Sequence, residues 1–269
     1  MIARRSILAA GVALAAFHKS PKRSSRRRVT QGELEEAKAL HGLWLEGKSY
    51  GQRANFAYCD LSGLDFGSTA ESQVVLRNAD FTGADLSGVG GNDVNFHHAS
   101  LQYASLVSSH FKSPVFSNAV LDGADCRNVH WGCSEKTIRV NLCEEDASKN
   151  AVFMNTSLAG TNFDYGRVKG YFYDCSFSSA SFAGAQLSWS HFEGPVDGNR
   201  FDRAKLIDTS FRHTKISAAT FRRATVTRAD FYGAQLEPRI AHVLAALDVP
   251  IAKRRVRGPD STGLKATEL

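Results

Sequence analysis

Of the 17 phenylalanines in this 269-residue chain, 16 lie between positions 56 and 231, and most neighbours among them are separated by a multiple of five. Phe56, Phe66, Phe81, Phe96, Phe111 and Phe116 share one phase, and Leu61, Leu76, Leu86, Leu101, Leu106 and Leu121 fill gaps in it. Cys126 and Trp131 continue the series, with Glu71 and Gly91 as its exceptions. From 201 to 236 every slot is apolar: Phe201, Leu206, Phe211, Ile216, Phe221, Val226, Phe231 and Leu236. A period of five suits neither regular element. Five helical residues advance about 500°, so no apolar face forms. In a strand, successive phenylalanines would fall on opposite faces.

The rhythm becomes foldable if every unit ends in a corner. A second column lies two residues before the first and is small: Ala54, Ala79, Ala84, Ala99, Ala104, Ala119, Ala124, Ala204 and Ala229, with Cys59, Cys175, Thr156, Thr161, Thr209 and Thr214. Glycine is frequent at the fifth place, as at Gly63, Gly83, Gly88, Gly123 and Gly233, which suits a turn with positive φ. Small and large apolar residues then both face inward, the chain turns by about 90° per unit, and four units close a square coil of 20 residues. Stacked coils pair as parallel strands roughly 4.8 Å apart.

Units such as Ala79-Asp80-Phe81-Thr82-Gly83, Ala84-Asp85-Leu86-Ser87-Gly88 and Ala229-Asp230-Phe231-Tyr232-Gly233 resemble the pentapeptide-repeat family. The resemblance covers 54–238. It implies an all-β solenoid, a right-handed quadrilateral β-helix, with short N- and C-terminal capping helices. It brings no active site. It also implies two kinds of partner: protein partners held by the rigid faces and, for those members that mimic B-form DNA, type II topoisomerases.

The phase slips by two residues between Trp131 and Phe153, by one between Phe163 and Phe172, and by one between Phe192 and Phe201. Each slip predicts a loop or bulge. The first, 132–150, is acidic, and its Glu135, Glu144, Glu145 and Asp146 form a candidate interaction loop. Glu71 and Gly91, 20 residues apart, are expected to stack in adjacent coils, with a bulge turning Glu71 outward because a buried unpaired carboxylate is costly. The open ends of a solenoid need covers. Residues 30–53 form the first: Thr30-Gln31-Gly32-Glu33 is a capping box, opening a helix with Leu34, Ala37, His41 and Trp44 on one face and ending near Gly47. Residues 239–269 hold the second: after Pro238, Ile240, Val243, Leu244 and Leu247 line one face, which either caps the coils or joins two copies as a homodimer, and a polar basic tail follows.

The net charge of +6 belongs to the termini. Residues 1–28 carry eight Lys/Arg and no acid, whereas 54–238 carry 16 basic and 20 acidic residues. The basic tails are thus candidates for nucleic acid or an anionic membrane. Within the repeat, 54–165 hold six basic and 13 acidic residues and 199–238 eight and four, which works against uniform DNA mimicry. Residues 1–29 read as a basic arm or targeting segment. Arg4 and Arg5 precede an apolar run from Ile7 to Phe17, with Ala13 and Ala15 as a cleavage pattern, and so resemble a twin-arginine export signal lacking the full consensus. Arg- and Ser-richness without acids fits an organelle transit peptide as well. The cations Lys19, Lys22, Arg23, Arg26, Arg27 and Arg28 favour the cytoplasmic side. The expectation is therefore cytoplasmic, with export or organelle targeting by 1–17 as the alternatives. No run of 18 apolar residues exists.

The sequence holds no GxSxG, HExxH or phosphate-loop pattern. Cys59, Cys126 and Cys175 fall in inward columns, and His130, Cys133 and Cys143 do not match a zinc spacing. Neither a metal nor a cofactor is expected. His97 and His98 fall at outward corners. Asp60, Asp65, Asp80, Asp85, Asp125 and Asp230 precede core residues and read as turn-supporting surface. The functional expectation is a non-catalytic scaffold for protein–protein interaction, not an enzyme. The alternatives are a topoisomerase-binding DNA mimic and tail-mediated binding to nucleic acid or membrane.

Overall fold

The structure is a computed structural model describing residues 26–67, 74–132, 150–187, 190–193, 199–212, 214–216 and 219–245. It is a parallel β-solenoid. Strands of two to four residues stack coil on coil, and on each side the residue before the core position pairs with its counterpart in the next coil. The first side runs Asn55, Asp80, Ser100, Val120, Ser157, Ser176, Arg200, Thr220. The third runs Asp65, Gly90, His110, His130, Arg167, Gln186, Ser210, Asp230.

At most described corners the chain adopts left-handed backbone two residues after the core side chain, and the amide one further on often bonds the core residue's carbonyl, as from Cys59 to Phe56 at 3.0 Å and from Ala84 to Phe81 at 2.9 Å. Glycine fills many corners, Gly88 at φ 68° among them. Asn78, Asn118, Asn128 and Asn155 fill others, since asparagine tolerates this region better than most residues. The aspartates before the core residues brace the turns: the Oδ1 atoms of Asp60, Asp80, Asp85 and Asp230 accept from the amides two residues on, at 2.8–3.0 Å.

Inside, Phe56, Leu61, Phe66, Phe81, Leu86, Phe96, Leu101, Phe111, Leu121, Phe211, Phe221 and Phe231 are all buried. One side carries an unbroken ring stack of Phe96, Phe116, Phe153, Phe172 and Phe192, with centroids 5.1, 5.1, 4.6 and 4.6 Å apart and planes within 16° of parallel. Parallel strands one coil apart impose this offset stacking, which adds to burial. Threonines of the small column satisfy their buried hydroxyls on neighbouring carbonyls, Thr156 on Phe116 at 2.8 Å and Thr209 on Phe182 at 2.7 Å. Trp131 is likewise satisfied: its indole N–H donates to Ser109 Oγ at 3.0 Å.

Coil lengths are unequal. Partners lie 25 residues apart at first (Asn55 with Asp80, Asp65 with Gly90), then 20 (Asp80 with Ser100), 37 (Val115 with Val152), 19 (Ser157 with Ser176), 24 (Ser176 with Arg200) and again 20 (Arg200 with Thr220). The expected stacking of Gly91 on position 71 is therefore corrected. An extra five residues precede Val74, so Gly91 follows Phe66, and a Cβ on it would stand 3.2 Å from Phe66 Cβ and 2.8 Å from Val94 Cγ2. Glu71 lies outside the described residues. The slip between Phe192 and Phe201 is an insertion of four, and the one before Phe172 is a coil one residue short.

Both ends are covered. Strand β1 (Arg27–Arg28) pairs in parallel with β2 (Cys59–Asp60), so part of the expected free arm is an added strand. Helix α1 (Gln31–Leu45) begins at the capping box: Thr30 Oγ1 accepts from the Glu33 amide at 3.3 Å and the Thr30 amide donates to Glu33 Oε2 at 2.8 Å. That amide, with Arg27 beside it, lowers the Glu33 pKa. Side chains of α1 then occupy backbone groups that no further coil can pair. Gln31 donates to the Asp65 carbonyl and accepts from its amide, and Lys38 donates to the Phe66 carbonyl. His41, fully buried, accepts from the Ala54 amide at Nδ1 and donates from Nε2 to the Arg77 carbonyl at 2.8 Å. At the far end α2 (Pro238–Ala245) turns Ile240 and Leu244 into the core. At those two positions the face serves as a cap, one of the two roles expected of it.

Candidate functional site

Among the described residues the thiols are withdrawn from solvent. Cys59, Cys126 and Cys175 are buried, and burial pushes the Cys175 thiol up to about 12. Burial raises Cys126 well above the ordinary thiol value too. A thiol held protonated is a poor nucleophile and a poor metal ligand. Among the described residues no group of three or more His, Cys, Asp or Glu side chains is placed to hold a metal, and no helix is long and apolar enough to cross a membrane. Cys133, Cys143 and the candidate loop residues Glu135, Glu144, Glu145 and Asp146 lie outside the described residues. His130 is on the third side, stacked one coil after His110, its pKa lowered by burial and then by Arg167 and His110. His97 and His98 pack on each other at 4.2 Å between centroids.

What remains is the outward surface, four columns of side chains on a rigid frame. Some of its acidic members are paired with arginines. Asp60 receives Arg28 Nη1 at 3.0 Å, Asp85 lies 3.6 Å from Arg26, and Asp125 receives two nitrogens of Arg127 at 2.8 and 2.7 Å. The Asp60 pKa falls although burial pushes it up, because the Ser62 hydroxyl and amide and the Arg28 guanidinium outweigh burial. The three cations read as part of a free polybasic run are therefore engaged: Arg26 with Asp85, Arg27 with Glu33, and Arg28 with Asp60 and Ser62. At these three positions an arginine offsets the negative charge that DNA mimicry needs. The charge changes sign towards the last coils, where Arg200, Arg203, Lys205, Arg222 and Arg223 are exposed.

A second surface feature escaped the sequence reading. Tyr58, Tyr103 and Tyr165 occupy left-handed corners, and each ring lies over a glycine of the next coil: Gly83, Gly123 and Gly184, where an added Cβ would come within 2.6–2.8 Å of the ring. The outer ring faces stay open, Tyr58 being 50% and Tyr103 47% exposed. The signal was a tyrosine at the fifth place answered by glycine at the fifth place one coil later.

The family model for pentapeptide repeats matches residues 52–89, 92–128 and 200–237, in eight copies. No curated protein matches the chain. Among solved structures, QnrB1, a plasmid-mediated fluoroquinolone resistance protein, is 15% identical over 72% of this chain and 95% of its own, with a TM-score of 0.34. HetL from Nostoc sp. strain PCC 7120, a protein involved in heterocyst differentiation regulation, is 17% identical over 76% of this chain and 93% of its own, with a TM-score of 0.23. A protein of the Arabidopsis thaliana thylakoid lumen is 18% identical over 36% of this chain and 72% of its own, with a TM-score of 0.27.

Proposed function

The chain belongs to the pentapeptide-repeat proteins, and on that premise we propose that it is a non-catalytic scaffold that binds another protein through its outward columns. One observation carries this reading. Among the described residues the cysteines are buried and most apolar side chains pack into one continuous core, while the polar side chains stand in columns along the coils. A frame braced at its corners loses little conformational entropy on binding, so modest contacts convert efficiently into affinity. The columns vary freely in residue type because they do not touch the core. The test uses the full chain, immobilised and exposed to extract from its own cells. The expected result is a partner retained in stoichiometric amounts and recovered with the protein as one species by size-exclusion chromatography. Repeated failure to retain any protein overturns the scaffold reading.

A further inference from the structure

In the last coils, several outward cations are paired off. Asp208 accepts two nitrogens of Arg228, each at 2.7 Å. Lys215 reaches Glu193 at 2.7 Å, and Arg212 lies 5.1 Å over the Tyr232 ring. One corner breaks the pattern. Arg203 and Arg223 occupy the same left-handed corner position of successive coils, held in register by the Arg203 amide donating to the Arg222 carbonyl at 2.8 Å. Arg222 adjoins the pair, and Lys205 begins the next side. All four are exposed, and none has an ion pair among the described residues. Asp202, adjacent to Arg203 in sequence, accepts from the Thr220 hydroxyl at 3.0 Å and the Arg222 amide at 3.1 Å. Asp174 serves Arg200 at 3.8 Å. Like charges stacked one coil apart oppose folding, so this corner gives up stability that the neighbouring corner keeps.

We propose that the corner formed by Arg203, Lys205, Arg222 and Arg223 is a docking surface for an acidic segment, rich in Asp or Glu, of the protein partner. The inference rests on the scaffold reading and names the partner's chemistry. Guanidinium groups bind carboxylates in a two-pronged geometry that suits this purpose. None of the large exposed apolar residues, among them Tyr58, Tyr103, Met154, Tyr165 and Tyr232, belongs to this corner, so nothing here inserts into a bilayer. The cations are confined to two coils, and residues 54–165, with 13 acids against six bases, repel a long polyanion laid along the solenoid. A short acidic peptide fits this footprint better than a nucleic acid strand.

The test compares the full chain with its Arg203→Glu variant, using fluorescein-labelled deca-glutamate and a deoxynucleotide decamer as probes. The basic tails are common to both proteins and cancel in the comparison. In the variant a carboxylate stands beside Arg223, so the site is lost while the like-charge stack is relieved. The expected result is a roughly tenfold weaker hold on deca-glutamate, a urea midpoint no lower than that of the parent, and an unchanged hold when Asp208 and Arg228 are exchanged instead. Equal binding by parent and Arg203→Glu overturns the proposal. So does no binding by the parent, or tighter binding of the decamer than of the peptide at this corner. Equal retention of the natural partner by both proteins removes the corner and leaves the scaffold standing. Loss of all retention by the parent strikes the scaffold reading itself.

Discussion

Gly83 and Gly88 sit at successive corners with nearly the same left-handed backbone, φ 63° and 68°, yet they face different neighbours. A Cβ on Gly88 would meet nothing within 4 Å, whereas one on Gly83 would stand 2.6 Å from Cδ1 and Cε1 of Tyr58. Gly88→Ala should therefore cost only the strain of a left-handed alanine, about 1 kcal/mol once the stiffer unfolded chain is counted. Gly83→Ala should add the loss of the ring from its seat. Tyr58 is half-buried, so roughly 80 Å² of apolar area returns to water, about 2 kcal/mol, for a total near 3 kcal/mol. Removing the ring first with Tyr58→Asn, which keeps a residue tolerant of this backbone, should return the cost of Gly83→Ala to about 1 kcal/mol. Urea unfolding of the four proteins gives the numbers. Equal costs for Gly83→Ala and Gly88→Ala, or no coupling to Tyr58, would refute the ring-on-glycine arrangement.

Two further outcomes follow from the caps. His41 is neutral when folded: Nδ1 accepts from an amide, and burial lowers its pKa. The unfolded chain then binds the extra proton, so the contribution of His41 is complete above pH about 6.5 and is lost as the pH falls through its folded value. Thermal melting across that window should show a downward slope towards acid that His41→Gln reduces. A chain beginning at Arg26 keeps strand β1 and its arginine contacts. One beginning at Thr30 loses buried Val29, strand β1 and the Arg26–Asp85 contact, and should be less stable by about 3–5 kcal/mol. Processing of the N-terminus is therefore expected to stop before residue 26, which intact-mass measurement of the native protein checks.

The core was legible because a five-residue rhythm admits few alternatives. Phe81, Leu101 and Phe211 point inward because their phase demands it. The same arithmetic hid the long first coil, since five added residues before Val74 leave the phase untouched. Between Phe192 and Phe201 a shift of one is equally a deletion of one or an insertion of four, and only strand pairing distinguishes them. Arg26, Arg27 and Arg28 read as solvated charge because composition carries no information about which backbone adds a strand. His41 was placed on the correct helix face, but its role as a clasp depends on the Ala54 amide and on the Arg77 carbonyl, 36 residues away, being brought to either side of it. The corner arginines were counted in the charge of 199–238, yet their stacking required the register.

Position along the molecule is counted in coils, not in residues. Spin labels on the first side test this most directly, with pulsed dipolar spectroscopy measuring from Asn55 to Val120, Ser157, Ser176 and Thr220 in turn. Distances should rise by roughly 4.8 Å per coil. The step from Val120 to Ser157, across 37 residues of chain, should equal the step from Ser157 to Ser176, across 19. Asn55 and Thr220 should stand about 34 Å apart, seven coils at that spacing. Distances that instead grow with residue number, or that jump between Val120 and Ser157, contradict the stacked-coil fold.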